Sequence, residues 1–147
     1  MKIYVINGPN LNMLGVREPE IYGRRTLENI NRDLKDYAYT IGAETEFFTS
    51  NIEGELVGAI QDAMNDADGI VINAGAYTHY SIAIRDAISG SGLPCVEVHL
   101  SNVYAREEMR RASVLAEKCI GVISGFGERS YFLALEALIH FIRSEQK

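Results

Sequence analysis

A chain of 147 residues with 47% hydrophobic content is long enough to bury a core and short enough to be one domain, residues 1–147. Its net charge of −6 argues against nucleic acid as a main partner, because neutralising phosphates needs a basic face. No apolar run approaches the ~18 residues of a membrane span. The chain opens on a strand pattern rather than a basic-then-apolar leader. Its two cysteines, Cys95 and Cys119, sit in apolar runs and read as buried thiols of a reducing compartment, so the expected location is cytoplasmic.

In chain order, residues 2–7 (KIYVIN) read as a first strand that stops at Asn7-Gly8-Pro9-Asn10, strong turn chemistry. Where a helix is due, the sequence supplies a loop broken by Gly15, Pro19 and Gly23 and carrying Arg17 and Tyr22. Residues 26–41 place Leu27, Ile30, Leu34, Tyr37 and Ile41 on one helical face, and Gly42 ends that helix. Residues 44–49 (ETEFFT) predict strand two and 53–65 a second helix. The continuous apolar run 69–74 suits a strand covered on both faces. A third helix is expected at 79–88, strand four at 94–99, a helical stretch at 105–114, strand five at 119–124 and a closing helix at 129–143. Strands alternating with helices predict an α/β fold, a doubly wound five-stranded parallel sheet in three layers, with the flavodoxin-like order 2-1-3-4-5.

In such a sheet the carboxyl ends of the strands share one edge, and ligands bind there at the switch point between strands one and three. Strand one brings Asn7 and Asn10 to that edge, strand three Asn73 and then His79. Strand four brings Glu97, His99, Ser101 and Asn102, with Arg106 and Arg110 one predicted helical turn apart behind it. Glu97 and His99 alternate along their strand and so project from one face, which suits a carboxylate orienting an imidazole that donates a proton. The loop with Arg17 and Tyr22 beside this point reads as a lid that brings chemistry with it. Plainer roles stand beside these: Asn10 as a turn former, His99 as a satisfied core histidine, Arg106 and Arg110 as a solvated helix face.

No glycine-rich phosphate loop is present, so nucleotide binding has no positive support. Two histidines at different strand ends without a nearby cysteine make a poor zinc site. The lysines, at 2, 35, 118 and 147, are not placed at the ligand edge, so a carbonyl substrate would be handled without an imine.

The blocks INGPNLNMLGVREPEIYG, SNIEGELV, INAGAYTHYSIAIRDAI and EVHLSNVYAREEMR, with the tail GVISGFGERSYFLALEAL, resemble the type II 3-dehydroquinate dehydratases over essentially the whole chain. The resemblance implies a cofactor-free and metal-free hydro-lyase. Such an enzyme takes 3-dehydroquinate to 3-dehydroshikimate by anti elimination through an enolate, in the shikimate pathway or quinate catabolism. It also implies a dodecamer, a tetramer of trimers, with no nucleic-acid or membrane partner. Carried over by position, Tyr22 is the base that removes the proton alpha to the ketone, and Arg17 lowers its pKa. Asn10 holds a water at the enolate oxygen, and His99, oriented by Glu97, protonates the departing hydroxyl. Asn73, Ser101 and the backbone at Leu100 bind the substrate carboxylate, while His79 and Arg110 bind ring hydroxyls. Asp86 reaches a neighbouring subunit's site.

The chain departs from the family pattern at Tyr104 and Ile52, where histidine is common, at Tyr80, where a small residue is usual, and at Ser130, where glycine is. Tyr80 and Tyr104 flank expected hydroxyl-binding residues and leave open a weaker relative that only binds a quinate-like acid. A flavin or nucleotide carrier is a third reading, by fold analogy alone.

Overall fold

The computed structural model describes residues 1–22 and 24–147, apart from the side chains of Ile21 and Tyr22. The first strand, β1 (Lys2–Asn7), is followed by a 3-10 turn at Leu11–Met13 and a four-residue helix, α1 (Pro19–Tyr22). Helix α2 (Leu27–Thr40) starts at Thr26, whose hydroxyl accepts from the Asn29 N–H while the Asn29 side chain accepts from the Thr26 N–H. That reciprocal cap satisfies two donors left open by the first helical turn. The chain then runs through β2 (Glu44–Thr49), α3 (Glu53–Ala63), β3 (Gly69–Asn73), α4 (Ile82–Ser91), β4 (Cys95–His99), β5 (Gly121–Ser124) and α5 (Arg129–Glu145).

Among the described residues, five parallel strands form one sheet in the order β2-β1-β3-β4-β5, as the sequence predicts. Asn7 pairs with Asn73, so β1 and β3 finish side by side at the switch point. The pleat sends alternate side chains to opposite faces. Ile3, Val5, Val71, Val96 and Val98 pack with α2 and α5 in one core. Ile6, Ile70, Ile72 and Cys95 pack with α3 and α4 in the other. In α3 the buried positions are Leu56, Ala59, Ile60 and Ala63, a single stripe at helical spacing. Each fully buried Ile or Leu in these layers contributes about 1.5–3 kcal/mol relative to exposure.

The third helix begins later than expected. Residues Gly75–His79 form a 3-10 turn, and α4 starts after Ser81, whose hydroxyl accepts from the Ile84 N–H. A larger correction concerns 105–114, which is not an α-helix. Two 3-10 turns, Val103–Ala105 and Glu108–Arg110, occupy the region. The segment has charges at Glu107, Glu108, Arg110 and Arg111, and its Met109 is exposed, so it offers no apolar stripe to offset helix nucleation. Arg106 and Arg110 therefore do not share a helix face. Cys95 is buried and Cys119, just before β5, is half-buried; hydrogen bonding to Cys119 and burial push the Cys95 thiol well above its usual range. Among the described residues no helix is long and apolar enough to cross a membrane.

Candidate active site

The carboxyl ends of β1, β3 and β4 open onto a cleft of about 180 Å³. It is lined by Asn10, Arg17, Asn73, His79, His99, Leu100, Ser101 and Arg110 of the expected site, together with Arg106, Gly75 and the loop residues Pro9, Leu11, Ala76 and Val103. These expected residues, Asn10 to Arg110, meet in one place although they lie as much as a hundred positions apart. Among the described residues three arginines and two histidines line this cleft and no carboxylate does, in a chain of net charge −6. Low-dielectric walls lined by one sign of charge focus potential toward an anion. Among the described residues no group of three or more His, Cys, Asp or Glu side chains is placed to hold a metal ion.

The turn after β1 is built by close approach. Asn10 has φ 68°, a left-handed conformation that Asn tolerates better than most residues, and its N–H donates to the Asn51 side chain at 2.9 Å. Gly75, with φ 59°, brings the turn after β3 against the Pro9 carbonyl, which would lie 3.0 Å from a β-carbon. A larger residue at Gly75, or at Gly8 whose β-carbon would lie 2.5 Å from the Ala74 carbonyl oxygen, would part the two strand ends.

Glu97 is fully buried beneath His99. Its Oε1 lies 3.5 Å from His99 Nε2 and accepts from the Ser113 hydroxyl at 2.6 Å and from the Thr78 hydroxyl. Burial pushes the Glu97 carboxyl upward, but His99, Ser113 and Thr78 together outweigh it and hold the group below the usual carboxylate range. The carboxylate is therefore ionised and fixed next to an imidazole that faces the cleft. The Ser113 hydroxyl also accepts from the N–H groups of Leu115 and Ala116, both at 3.1 Å, which turns its own proton toward Glu97. On the far wall, His79 Nδ1 donates to the Ala112 carbonyl at 2.7 Å, leaving Nε2 as the acceptor in the neutral ring. Arg110 is oriented by Glu107 at 2.7 Å.

Three expected residues are not in the cleft's described lining: Glu97, which is buried beneath His99, Tyr22 and Asp86. The Tyr22 side chain lies outside the described residues. Asp86 is exposed on α4, beside a surface groove shared with α3 and away from this cleft. Of the departures, Tyr80, Ile52 and Tyr104 are exposed, and Ser130 is buried with its hydroxyl accepting from the Phe126 N–H at 3.0 Å. None of the four lines the main cleft; Tyr104 lines a smaller neighbouring pocket of about 100 Å³.

Sequence reading missed Thr78 and Ser113, which hold Glu97, and Tyr131, which hydrogen-bonds Asn7 and Asn73 beneath the cleft. A signal for Tyr131 exists: it sits on the same stripe of α5 as Ala134, Leu135 and Leu138, and a hydroxyl on a buried apolar face needs a partner.

The fold and the site together define a doubly wound α/β domain with an anion-attracting, acid–base cleft at its switch point. The chain belongs to the class II dehydroquinase family, whose model matches residues 1–139. A 3-dehydroquinate dehydratase from a Nitratiruptor species is 60% identical over 138 residues, covering 94% of this chain and 88% of the relative. One from Prochlorococcus marinus subsp. pastoris is 56% identical over 142 residues and 97% of each chain. The crystal structure of a type II dehydroquinase from Butyrivibrio crossotus superposes with a TM-score of 0.92 at 48% identity, over 95% of this chain and 97% of that one.

Proposed function

We propose that this chain dehydrates 3-dehydroquinate to 3-dehydroshikimate. The observation that carries the reading is the cleft itself: a cationic lining, free of carboxylates among the described residues, over a buried Glu97–His99 pair, in a member of this family. The substrate is a carboxylate with a ketone and a hydroxyl to lose. Asn73, Ser101 and the backbone at Leu100 take its carboxylate, and His79 and Arg110 take its ring hydroxyls. Tyr22, as phenolate, removes the proton alpha to the ketone, and the resulting enolate is met by a water held on Asn10. The guanidinium of Arg17 favours the phenolate. As the enolate collapses, the carbon–oxygen bond to the departing hydroxyl breaks, and His99, steadied by Glu97, gives that oxygen a proton. The role of Tyr22 rests on the family resemblance. No lysine lines the cleft among the described residues, which favours an imine-free route.

The same reading places the protein in the cytoplasm, as a dodecamer built of trimers, with Asp86 completing a neighbour's site. Its exposure on α4, outside its own cleft, supports that role. Light scattering that gave a stable, fully active monomer would remove this part. The reaction is tested by following the absorbance of the conjugated enone carboxylate with purified protein, with and without borohydride pretreatment. Turnover that survives borohydride supports the whole scheme; turnover abolished by it overturns the imine-free route; no turnover overturns the function.

A further inference from the structure

Below the cleft floor a chain of hydrogen bonds crosses from β3 to α5 and back to β1. The Gly75 N–H donates to Asn73 Oδ1 at 3.2 Å, Asn73 Nδ2 donates to the Tyr131 hydroxyl at 3.0 Å, and that hydroxyl donates to Asn7 Oδ1. All three side chains are buried, Tyr131 at 1% exposure and Asn73 at 3%. The direction of this chain is not arbitrary. A backbone N–H can only donate, so the oxygen of the Asn73 amide must face Gly75, and its nitrogen must face the phenol. The phenol, used as an acceptor by Asn73, has one proton left to give, and Asn7 takes it. Burial keeps the Tyr131 phenol protonated far above the usual range, so this proton stays in place.

The consequence lies on the cleft side. An amide nitrogen has two protons, and only one is used by Tyr131. Asn73 also lines the cleft, so the second proton is the group it has left to offer a ligand. We propose that Tyr131 is a positioning residue that locks the Asn73 amide with a donor toward the cleft, setting the preference of the site for a carboxylate. Without the phenol the amide has only Gly75 to orient it. Held by that one long bond, the carboxamide turns over more readily, and the turned form presents a lone pair to an anion, which is repulsive. The inference rests on the proposed dehydratase reading for its substrate, and it adds a residue that touches none of the reacting atoms.

Tyr131→Phe removes one oxygen and keeps the ring in its packing. With 3-dehydroquinate as substrate, KM is expected to rise about tenfold, the loss of roughly one charge-assisted hydrogen bond, while kcat stays within about twofold. In an Asn73→Ala background the same change is expected to leave KM unaltered, since its only route to the substrate is gone. Tyr131→Phe with unchanged KM, or with the same KM effect whether or not Asn73 is present, overturns the proposal. Where Tyr131→Phe does not fold, Asn7→Ala serves. It leaves the phenol packed but removes the acceptor that points its proton, and unchanged KM there is equally fatal. A wild-type chain that does not turn over 3-dehydroquinate overturns the dehydratase reading itself, a result these variants cannot produce.

Discussion

Gly15→Ala separates the part of this molecule that holds shape from the part that brings chemistry to the cleft. Gly15 has φ 88°, and a β-carbon built there would stand 2.7 Å from the backbone carbonyl oxygen of Arg24. The two residues are the ends of the segment that carries Arg17 and Tyr22. A left-handed conformation costs an L-residue about 1–2 kcal/mol, and forced contact in a packed site adds about 1–3 kcal/mol, so roughly 2–5 kcal/mol must be relieved somewhere. The flanks resist. Leu14 is buried, and beyond Arg24 the chain is tied by Arg25 to Asp33 and, at 3.1 Å, to Glu128, then by the Thr26 cap of α2. The strain therefore displaces the segment between them and takes Arg17 out of the cleft it lines. If that energy falls on the transition state, kcat/KM for 3-dehydroquinate drops by about 30- to 4000-fold, at about 1.4 kcal/mol per tenfold. The thermal midpoint shifts by only a few degrees. The assay is the initial rate of enone absorbance beside a circular-dichroism melt. A variant that melts some 10 °C lower yet keeps wild-type kcat/KM would overturn this, because the two ends would then belong to the rigid frame.

Gly8→Ala should do the reverse. Its β-carbon would lie 2.5 Å from the oxygen and 2.7 Å from the carbonyl carbon of Ala74, and the Gly8 N–H is already bound to the Asn73 carbonyl at 2.8 Å. Backbone cannot retreat from backbone without parting β1 from β3, so about 3 kcal/mol and a melting point lower by about 6–12 °C are expected. Glu97→Gln should lower kcat about 10²-fold by loosening His99. Because the Glu97 carboxyl sits below its usual range when folded, its contribution is present above pH ~4.3 and is lost as pH falls through the folded value. The stability gap between wild type and Glu97→Gln should thus be constant near neutrality and narrow in acid, as read by urea melts. For Tyr131 the sign is opposite. The unfolded phenol ionises near pH ~10 while the buried one stays protonated, so stability falls as pH rises past ~10, by up to about 1.4 kcal/mol per unit. Tyr131→Phe should remove that slope in alkaline melts.

Much of this arrangement is legible in the sequence because it follows from local pattern. The apolar run 69–74 and the alternation of Glu97 with His99 are strand signatures, and strand ends in a doubly wound sheet share an edge whatever lies between them. The cleft residues at and just beyond the ends of β1, β3 and β4 follow from that alone. What stayed hidden is long-range or irregular. Ser113 meets Glu97 from 16 positions away, Thr78 from 19, and Tyr131 reaches Asn73 from 58 and Asn7 from 124. No window of sequence shows such pairs. Residues 105–114 misled for another reason: Ala, Arg, Glu and Met favour helix individually, but propensity is a weak prior when no face is buried. The irregular path is what brings Arg106 and Arg110 to the cleft and Ser113 beneath it.

Glu97 also separates the demands of function from those of folding. It stands on β4 between Val96 and Val98, on the face shared with Cys95, in an environment that for stability alone calls for another aliphatic side chain. Burying an ionised carboxylate costs several kcal/mol unless its oxygens are met, and an apolar replacement of such a group is often neutral or stabilising. Here the cost is offset by three groups from three segments: Thr78 from the turn after β3, Ser113 from the irregular stretch after β4, and His99 from β4 itself. All three converge on Oε1, while Oε2 has no hydrogen-bond partner among the described residues. A carboxylate installed only to tie segments together would be expected to share its partners between both oxygens. Crowding the donors onto the oxygen nearest His99 fixes the carboxylate relative to one ring, and that ring opens onto the cleft. The geometry suits an acid–base pair better than a structural tie, which is why position 97 argues for chemistry independently of the cleft's charge.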